Sequence, residues 1–205
     1  AVFLDKGPFS DGIDLPAPTG VSDYVTYNDT PKDTDVIIER CRDADIIITN
    51  KVQISAEVIA QLPKLKLIQL TATGMNNVDH DACDKHDVAL YNVAGYAVKS
   101  VPEHTFMLML TAMRAGIHYH QKVADGTWLA NGNFCLLDIP LIDLEDKTLG
   151  IIGIGTIGKR VTEIARAFGM TVLWAEHQGR TPRSDEYTAF DDVLAQADVI
   201  SLHCP

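Results

Sequence analysis

Short apolar runs alternate with polar, helix-patterned stretches along the first half of this chain. Ala1-Val-Phe-Leu4, Ala44 to Thr49, Leu65 to Leu70 and Val88-Ala-Leu-Tyr91 are apolar and too short for helices, so they read as buried strands. Between them, Asp33 to Arg42 carries a helical pattern, Ser55 can cap a short helix that ends at Leu62 before Pro63, and Asp79 to His86 reads as a polar helix. Gly7, Pro8, Gly12, Pro16, Pro18 and Gly20 mark a loop after the first strand, and Thr71-Ala-Thr-Gly-Met75 marks a turn after the third. Strands alternating with helices imply a parallel sheet covered on both faces.

The rhythm changes between Ala94 and Lys99. Ser100-Val-Pro-Glu103 has the form of a capping box with proline in the first turn, and it predicts the start of a long helix. Val101, Leu108, Met109, Ala112 and Met113 give that helix an apolar face, while Phe106, Met107 and Leu110 extend the apolar surface beyond one stripe. Part of the cover it needs can come from the segment up to Leu144; the rest can come from a second subunit. A more polar helix is expected over Ile117 to Trp128, then a loop with Asn131, Gly132, Asn133 and Pro140. Two domains follow from this pattern, residues 1–98 and residues 99–205.

The second domain holds the most specific stretch. Thr148-Leu-Gly-Ile-Ile152 is an apolar strand that runs into Gly153-Ile-Gly-Thr-Ile-Gly158. Ile157, Val161, Ile164, Ala165 and Phe168 then fall on one helical face, Gly169 stops the helix, and Met170 to Ala175 is a second apolar run ending at Glu176. Strand, glycine turn, helix, strand and acid form the pattern of a dinucleotide-binding βαβ unit. Gly153 would permit the tight turn, Gly155 the close approach of a pyrophosphate, and Gly158 the packing of helix on strand. The first helical residues, Thr156 and Ile157, would offer backbone donors and the positive end of the helix dipole. Glu176 stands where an acid meets the adenosine ribose hydroxyls, which favours NAD; Arg180 close by would partly offset that acid. The alternative is a glycine-rich strand–helix turn that holds no nucleotide. Leu149 to Gly153, Thr171 to Glu176 and Asp198 to Leu202 are the strands expected here, one mononucleotide half, so the domain is expected to be incomplete at its C-terminal side.

Composition narrows the partners. The 205 residues are 46% hydrophobic and 22% charged with a formal net charge of −11, which is a globular composition and disfavours nucleic acid or an anionic membrane as partner. No apolar run approaches the ~20 residues of a membrane span. Cys41, Cys83, Cys135 and Cys204 form no CxxC pair and are expected as free thiols in a cytoplasmic protein. His118 and His120 stand two apart on a helix and point in different directions, so no metal site is expected there. His80 and His86 are expected in solvent, and His104 in a structural or interface role near the boundary.

Thr73-Gly-Met-Asn-Asn-Val-Asp79, Ser100-Val-Pro-Glu-His-Thr105, Leu149 to Gly158 and His203-Cys-Pro205 together resemble the D-isomer-specific 2-hydroxyacid dehydrogenases, in order and spacing over the whole chain. Asn50-Lys51 most resembles the glycerate dehydrogenase (hydroxypyruvate reductase) branch. The resemblance implies an α/β protein of two doubly wound parallel-sheet domains, a flavodoxin-like substrate domain and an incomplete Rossmann NAD-binding domain. It places the carboxylate of a small 2-oxo or 2-hydroxy acid on the backbone N–H groups of Thr73 and Gly74, with Lys51 either a cation over the same cleft or a solvated surface lysine. It places NAD on Gly153, Gly155, Thr156, Ile157, Gly158 and Glu176, with His203, Cys204 and Pro205 along the adenine edge. The family's arginine, glutamate and histidine are expected beyond Pro205, so no residue of this chain is assigned a catalytic role and the chain alone is expected to be inactive. A homodimer is also implied. An NAD-sensing corepressor-type protein on the same fold, or an inactive product, stays open at this level.

Overall fold

The computed structural model describes residues 1–9 and 12–204, which form two compact units, Ala1–Gly95 and Tyr96–Pro205. In the first, β1 (Val2–Phe3), β2 (Val25–Thr26), α1 (Thr34–Cys41), β3 (Ile46–Thr49), α2 (Ala56–Ala60), β4 (Leu67–Leu70), α3 (His80–Lys85) and β5 (Ala89–Tyr91) follow in turn. All pairings are parallel and the strand order is β2-β1-β3-β4-β5, the flavodoxin-like arrangement. Val2, Ile47, Ile68 and Leu90 lie in register across the sheet. Leu4, Ile47, Ile54, Ile59, Ile68 and Leu70 are fully buried, as expected for a sheet clothed on both faces. Each helix of this unit starts at a side-chain cap. Asp33 accepts from the N–H groups of Asp35 and Val36, Ser55 from that of Val58, and Asp79 from that of Ala82. The strand absent from the expectations is β2, whose two residues carry no periodicity and which pairs only through Val2 and Phe3.

The second unit comprises α4 (Ala97–Met113), α5 (Gly116–Ala124), α6 (Thr127–Ala130), β6 (Thr148–Ile152), α7 (Thr156–Ala167), β7 (Thr171–Ala175), β8 (Tyr187–Thr188), α8 (Phe190–Gln196) and β9 (Val199–Leu202). Its sheet is parallel with order β8-β7-β6-β9, the first four positions of the Rossmann order 3-2-1-4-5-6. Two expectations change here. The third strand of the unit is β8, and Asp198 to Leu202 becomes the fourth, crossing to the other side of β6. The unit therefore reaches past one mononucleotide half and contains the point, between β6 and β9, where strand order reverses.

The helices also depart from expectation. α4 starts at Ala97, ahead of the Ser100–Glu103 box, with Tyr96 at its cap and no side-chain hydrogen bond there. Pro102 thus lies inside the helix and leaves the Val98 carbonyl without its usual N–H partner. The single helix expected over Ile117 to Trp128 is two, divided at Gly126, whose φ of 82° is left-handed. Phe106 and Met109 of α4 join Leu149, Ile151, Val161 and Ala165 in the core, and the rings of Phe106 and Phe168 stack at 5.3 Å. Met107 and Leu108, on the other side of α4, are exposed, as are Ile117, Leu129, Phe134 and Leu137.

Candidate functional site

Of the three glycines of the β6–α7 turn, two are required by the protein's own packing. Gly153 has φ 99°, and a Cβ there would stand 2.4 Å from the Cys204 nitrogen, so both conformation and the close approach of the β9 end require it. A Cβ on Gly158 would lie 2.3 Å from the Gly153 carbonyl oxygen, so the helix can sit tightly on the turn only without one. Gly155 has neither demand. Its φ of −87° suits any residue, and a Cβ built there meets nothing within 4 Å among the described residues. It caps α7, and no side chain among the described residues bonds the first-turn N–H groups of that helix.

Gly155 opens onto a cleft of about 530 Å³ at the C-terminal ends of β6, β7 and β9. Gly153, Gly155, Glu176, His203 and Cys204 line it together, five of the residues singled out in the sequence. Thr156 faces a neighbouring depression beside Lys159 and Arg160, while Ile157 packs on the core and Gly158 is buried. Those three residues form the first turn of α7. Pro205 lies outside the described residues. The His203 N–H donates to the Ile152 carbonyl at 2.8 Å, and its Nε2 lies 2.9 Å from Ser201 Oγ. Burial pushes the His203 pKa below its ordinary value, so a neutral ring faces the cleft.

Glu176 is 3% exposed and is held by four donors. Its Oε1 accepts from the His177 N–H at 2.8 Å and from Arg183 Nη2 at 2.5 Å. Its Oε2 accepts from Arg183 Nε at 2.7 Å and from the Arg183 N–H at 3.1 Å. The Arg183 fork, reinforced by the His177 N–H, lowers the carboxyl pKa from 4.5 to about 2. The arginine expected to offset this acid was Arg180; the one that reaches it is Arg183. The reason is β8. The Glu176 N–H donates to the Thr188 carbonyl, which closes the intervening loop back onto β7 and returns Arg183 to the strand end. The Arg183 guanidinium also covers the Tyr187 ring at 4.5 Å, and Tyr187 meets Trp174 edge-on at 5.8 Å. Trp174 Nε1 donates to Thr162 Oγ1, which donates to the Gly158 carbonyl, each at 2.9 Å. One contiguous set of contacts runs from the glycine turn to Arg183.

In the first unit, Lys51 follows β3, and Thr73 and Gly74 follow the neighbouring β4. Thr73 Oγ1 donates to the Val93 carbonyl at 3.1 Å, and Asn92 Nδ2 donates to the Thr73 carbonyl at 2.7 Å. This fixes the turn from below while Thr73 and Gly74 stay exposed. Neither of their N–H groups donates to a protein acceptor among the described residues. The Lys51 side chain is exposed and forms no ion pair among them. The residue not foreseen here is Asp5, buried after β1, which accepts from Thr49 Oγ1 at 3.0 Å and from the N–H groups of Asn50 and Lys51, each at 2.7 Å.

His118 Nε2 sits 2.8 Å from an Asp138 oxygen, and no group of three or more metal-ligating side chains exists among the described residues. Cys41 and Cys83 are buried, and burial pushes the Cys41 thiol up to about 12. Among the described residues, no helix is long and apolar enough to cross a membrane.

The family model of the D-isomer specific 2-hydroxyacid dehydrogenase catalytic domain matches residues 9–194. The chain belongs to this family. A Haemophilus influenzae protein named as a 2-hydroxyacid dehydrogenase is 41% identical over all of this chain and 64% of its own length. The hydroxypyruvate reductase of Blautia hydrogenotrophica is 34% identical over all of this chain and 65% of its own. This dehydrogenase-family chain thus spans just under two thirds of these relatives. Among solved structures, an acyclic imino acid reductase in complex with NADPH and D-arginine superposes with TM-score 0.77 at 25% identity, covering the whole chain and 64% of that protein. The Aquifex aeolicus D-lactate dehydrogenase complexed with NAD and lactic acid gives 0.68 at 29% identity, over 89% of this chain and 54% of that one.

Proposed function

We propose that the second unit binds the adenosine and pyrophosphate part of a nicotinamide dinucleotide, in the service of interconverting a 2-oxo acid and a D-2-hydroxy acid. The observation that carries this reading is Gly155. Neither the backbone nor any protein neighbour needs a glycine there, so the space it leaves open serves a ligand. The uncapped α7 terminus beside it suits a pyrophosphate, and neutral His203 and Cys204 suit an adenine edge. The relatives solved with NAD and with NADPH support the same cofactor class.

The first unit would hold the substrate. The free N–H groups of Thr73 and Gly74 make a small anion site at the end of β4, and Lys51 adds a positive charge at the end of the adjacent β3. The relative named hydroxypyruvate reductase and the Asn50-Lys51 pair favour hydroxypyruvate and D-glycerate as the acids. When bound, the cofactor supplies or accepts the hydride. The chain's own contribution is to hold the carboxylate and the adenosine end; no residue in it is assigned to move the hydroxyl proton, so the chain alone is expected to show no turnover. The exposed apolar side chains of α4 and of residues 117–137 support a homodimer, and four unpaired cysteines suit a cytoplasmic setting.

The test is Gly155→Val. NADH fluorescence titration should show an affinity loss of about 100-fold or more, because the new side chain fills the phosphate position. The melting temperature should not move, because nothing in the protein is displaced. Unchanged NADH affinity would remove the dinucleotide from this turn.

A further inference from the structure

We propose that Arg183 reads the 2′ position of the cofactor's adenosine ribose and admits a 2′-phosphate there, so that NADPH is accepted alongside NADH. This rests on the dinucleotide reading of the cleft. An ionised carboxylate has roughly four lone-pair positions for hydrogen bonds. Four donors already hold Glu176: the N–H groups of His177 and Arg183, and Nε and Nη2 of the Arg183 guanidinium. The acid is also 3% exposed, so a ribose hydroxyl could bond it only by displacing Arg183 from a buried partner. The group that meets solvent at this rim is Arg183, whose side chain is 52% exposed.

Arg183 is arranged to receive an anion. Of the roughly five N–H donors of a guanidinium, two point at Glu176, leaving about three free. Its plane is held between the carboxylate and the face of Tyr187, so little side-chain freedom is lost when a phosphate arrives. The charge of Glu176, which alone would repel a 2′-phosphate, is neutralised by direct pairing. The arrangement is an acid that positions a cation, and the cation meets the ligand.

Calorimetric titration of the chain with ADP-ribose and with 2′-phospho-ADP-ribose tests this without the nicotinamide end. The unsubstituted chain should bind the two within about tenfold of each other. Arg183→Ala should weaken the phosphorylated ligand by about tenfold or more, while ADP-ribose holds or tightens because Glu176 regains free lone pairs. Arg183→Lys, which keeps the charge without the fork, should fall between, and melting curves for both variants check that the fold is retained. A preference of about 100-fold or more for ADP-ribose in the unsubstituted chain overturns the inference, as does an equal loss of both ligands in Arg183→Ala. Failure of the unsubstituted chain to bind either ligand overturns the dinucleotide reading itself, and this inference with it.

Discussion

Asp5 and Glu176 have like settings in the two units: each is a buried carboxylate close after a strand of a parallel sheet, at the C-terminal end where doubly wound folds build their sites. Their partners differ. Asp5 accepts from one hydroxyl and two backbone N–H groups, all neutral, and so fastens the loop after β3 in place with Lys51 directed outward from it. Glu176 accepts from two backbone N–H groups and an arginine fork, and so draws a cation from a surface loop to the mouth of a cleft. An acid at a strand end is therefore not in itself a ligand site. What it does is set by the donors the fold delivers to it.

The comparison breaks most visibly at Asp5. Asp5→Ala leaves Thr49 Oγ1, which is fully buried, and the N–H groups of Asn50 and Lys51 without their acceptor. Unfolding in urea should show a loss of roughly 3 to 5 kcal/mol, with Asp5→Asn intermediate because its amide oxygen still accepts. A loss below about 1 kcal/mol would mean that the loop is held by other contacts.

Glu176 should respond to pH. Its folded-state pKa of about 2 lies below the ordinary 4.5, so its contribution to stability is present above pH 4.5 and disappears as pH falls toward 2. Glu176→Gln lacks that titration, so the gap in melting temperature between the two proteins should narrow across this window. A gap constant from pH 5 to 2 would show that the Arg183 pairing does not persist in solution.

The smallest effect is expected at Trp174. Trp174→Phe removes the Nε1 bond to Thr162 while leaving the Thr162–Gly158 bond intact, and should cost about 1 kcal/mol in thermal unfolding. If the same variant leaves 2′-phospho-ADP-ribose binding unaltered, Tyr187 supports Arg183 without help from Trp174.

Much of this protein can be read along the chain because its information is local. The apolar runs that become β3, β4, β6, β7 and β9, the Ser55 cap, the Gly169 stop and the three glycines of the turn each depend on neighbours a few residues away. What failed was information carried at a distance. β2 and β8 have two residues each, too few for any period, and exist because β1 and β7 offer them an edge. The Ser100–Glu103 box is a sound local start signal, yet the helix begins at Ala97. Gly155 could be named from its motif, but only the empty space around it separates it from Gly153 and Gly158, whose neighbours demand glycine. Asp5 reaches Lys51 across 46 positions of sequence, and Arg183 reaches Glu176 only because β8 folds its loop back. The alternation, the turn and the acid are legible in the order of residues. Which donors fill that acid depends on the fold, because a hydrogen bond is selected by distance in space, and residue spacing reports that distance only within a single element.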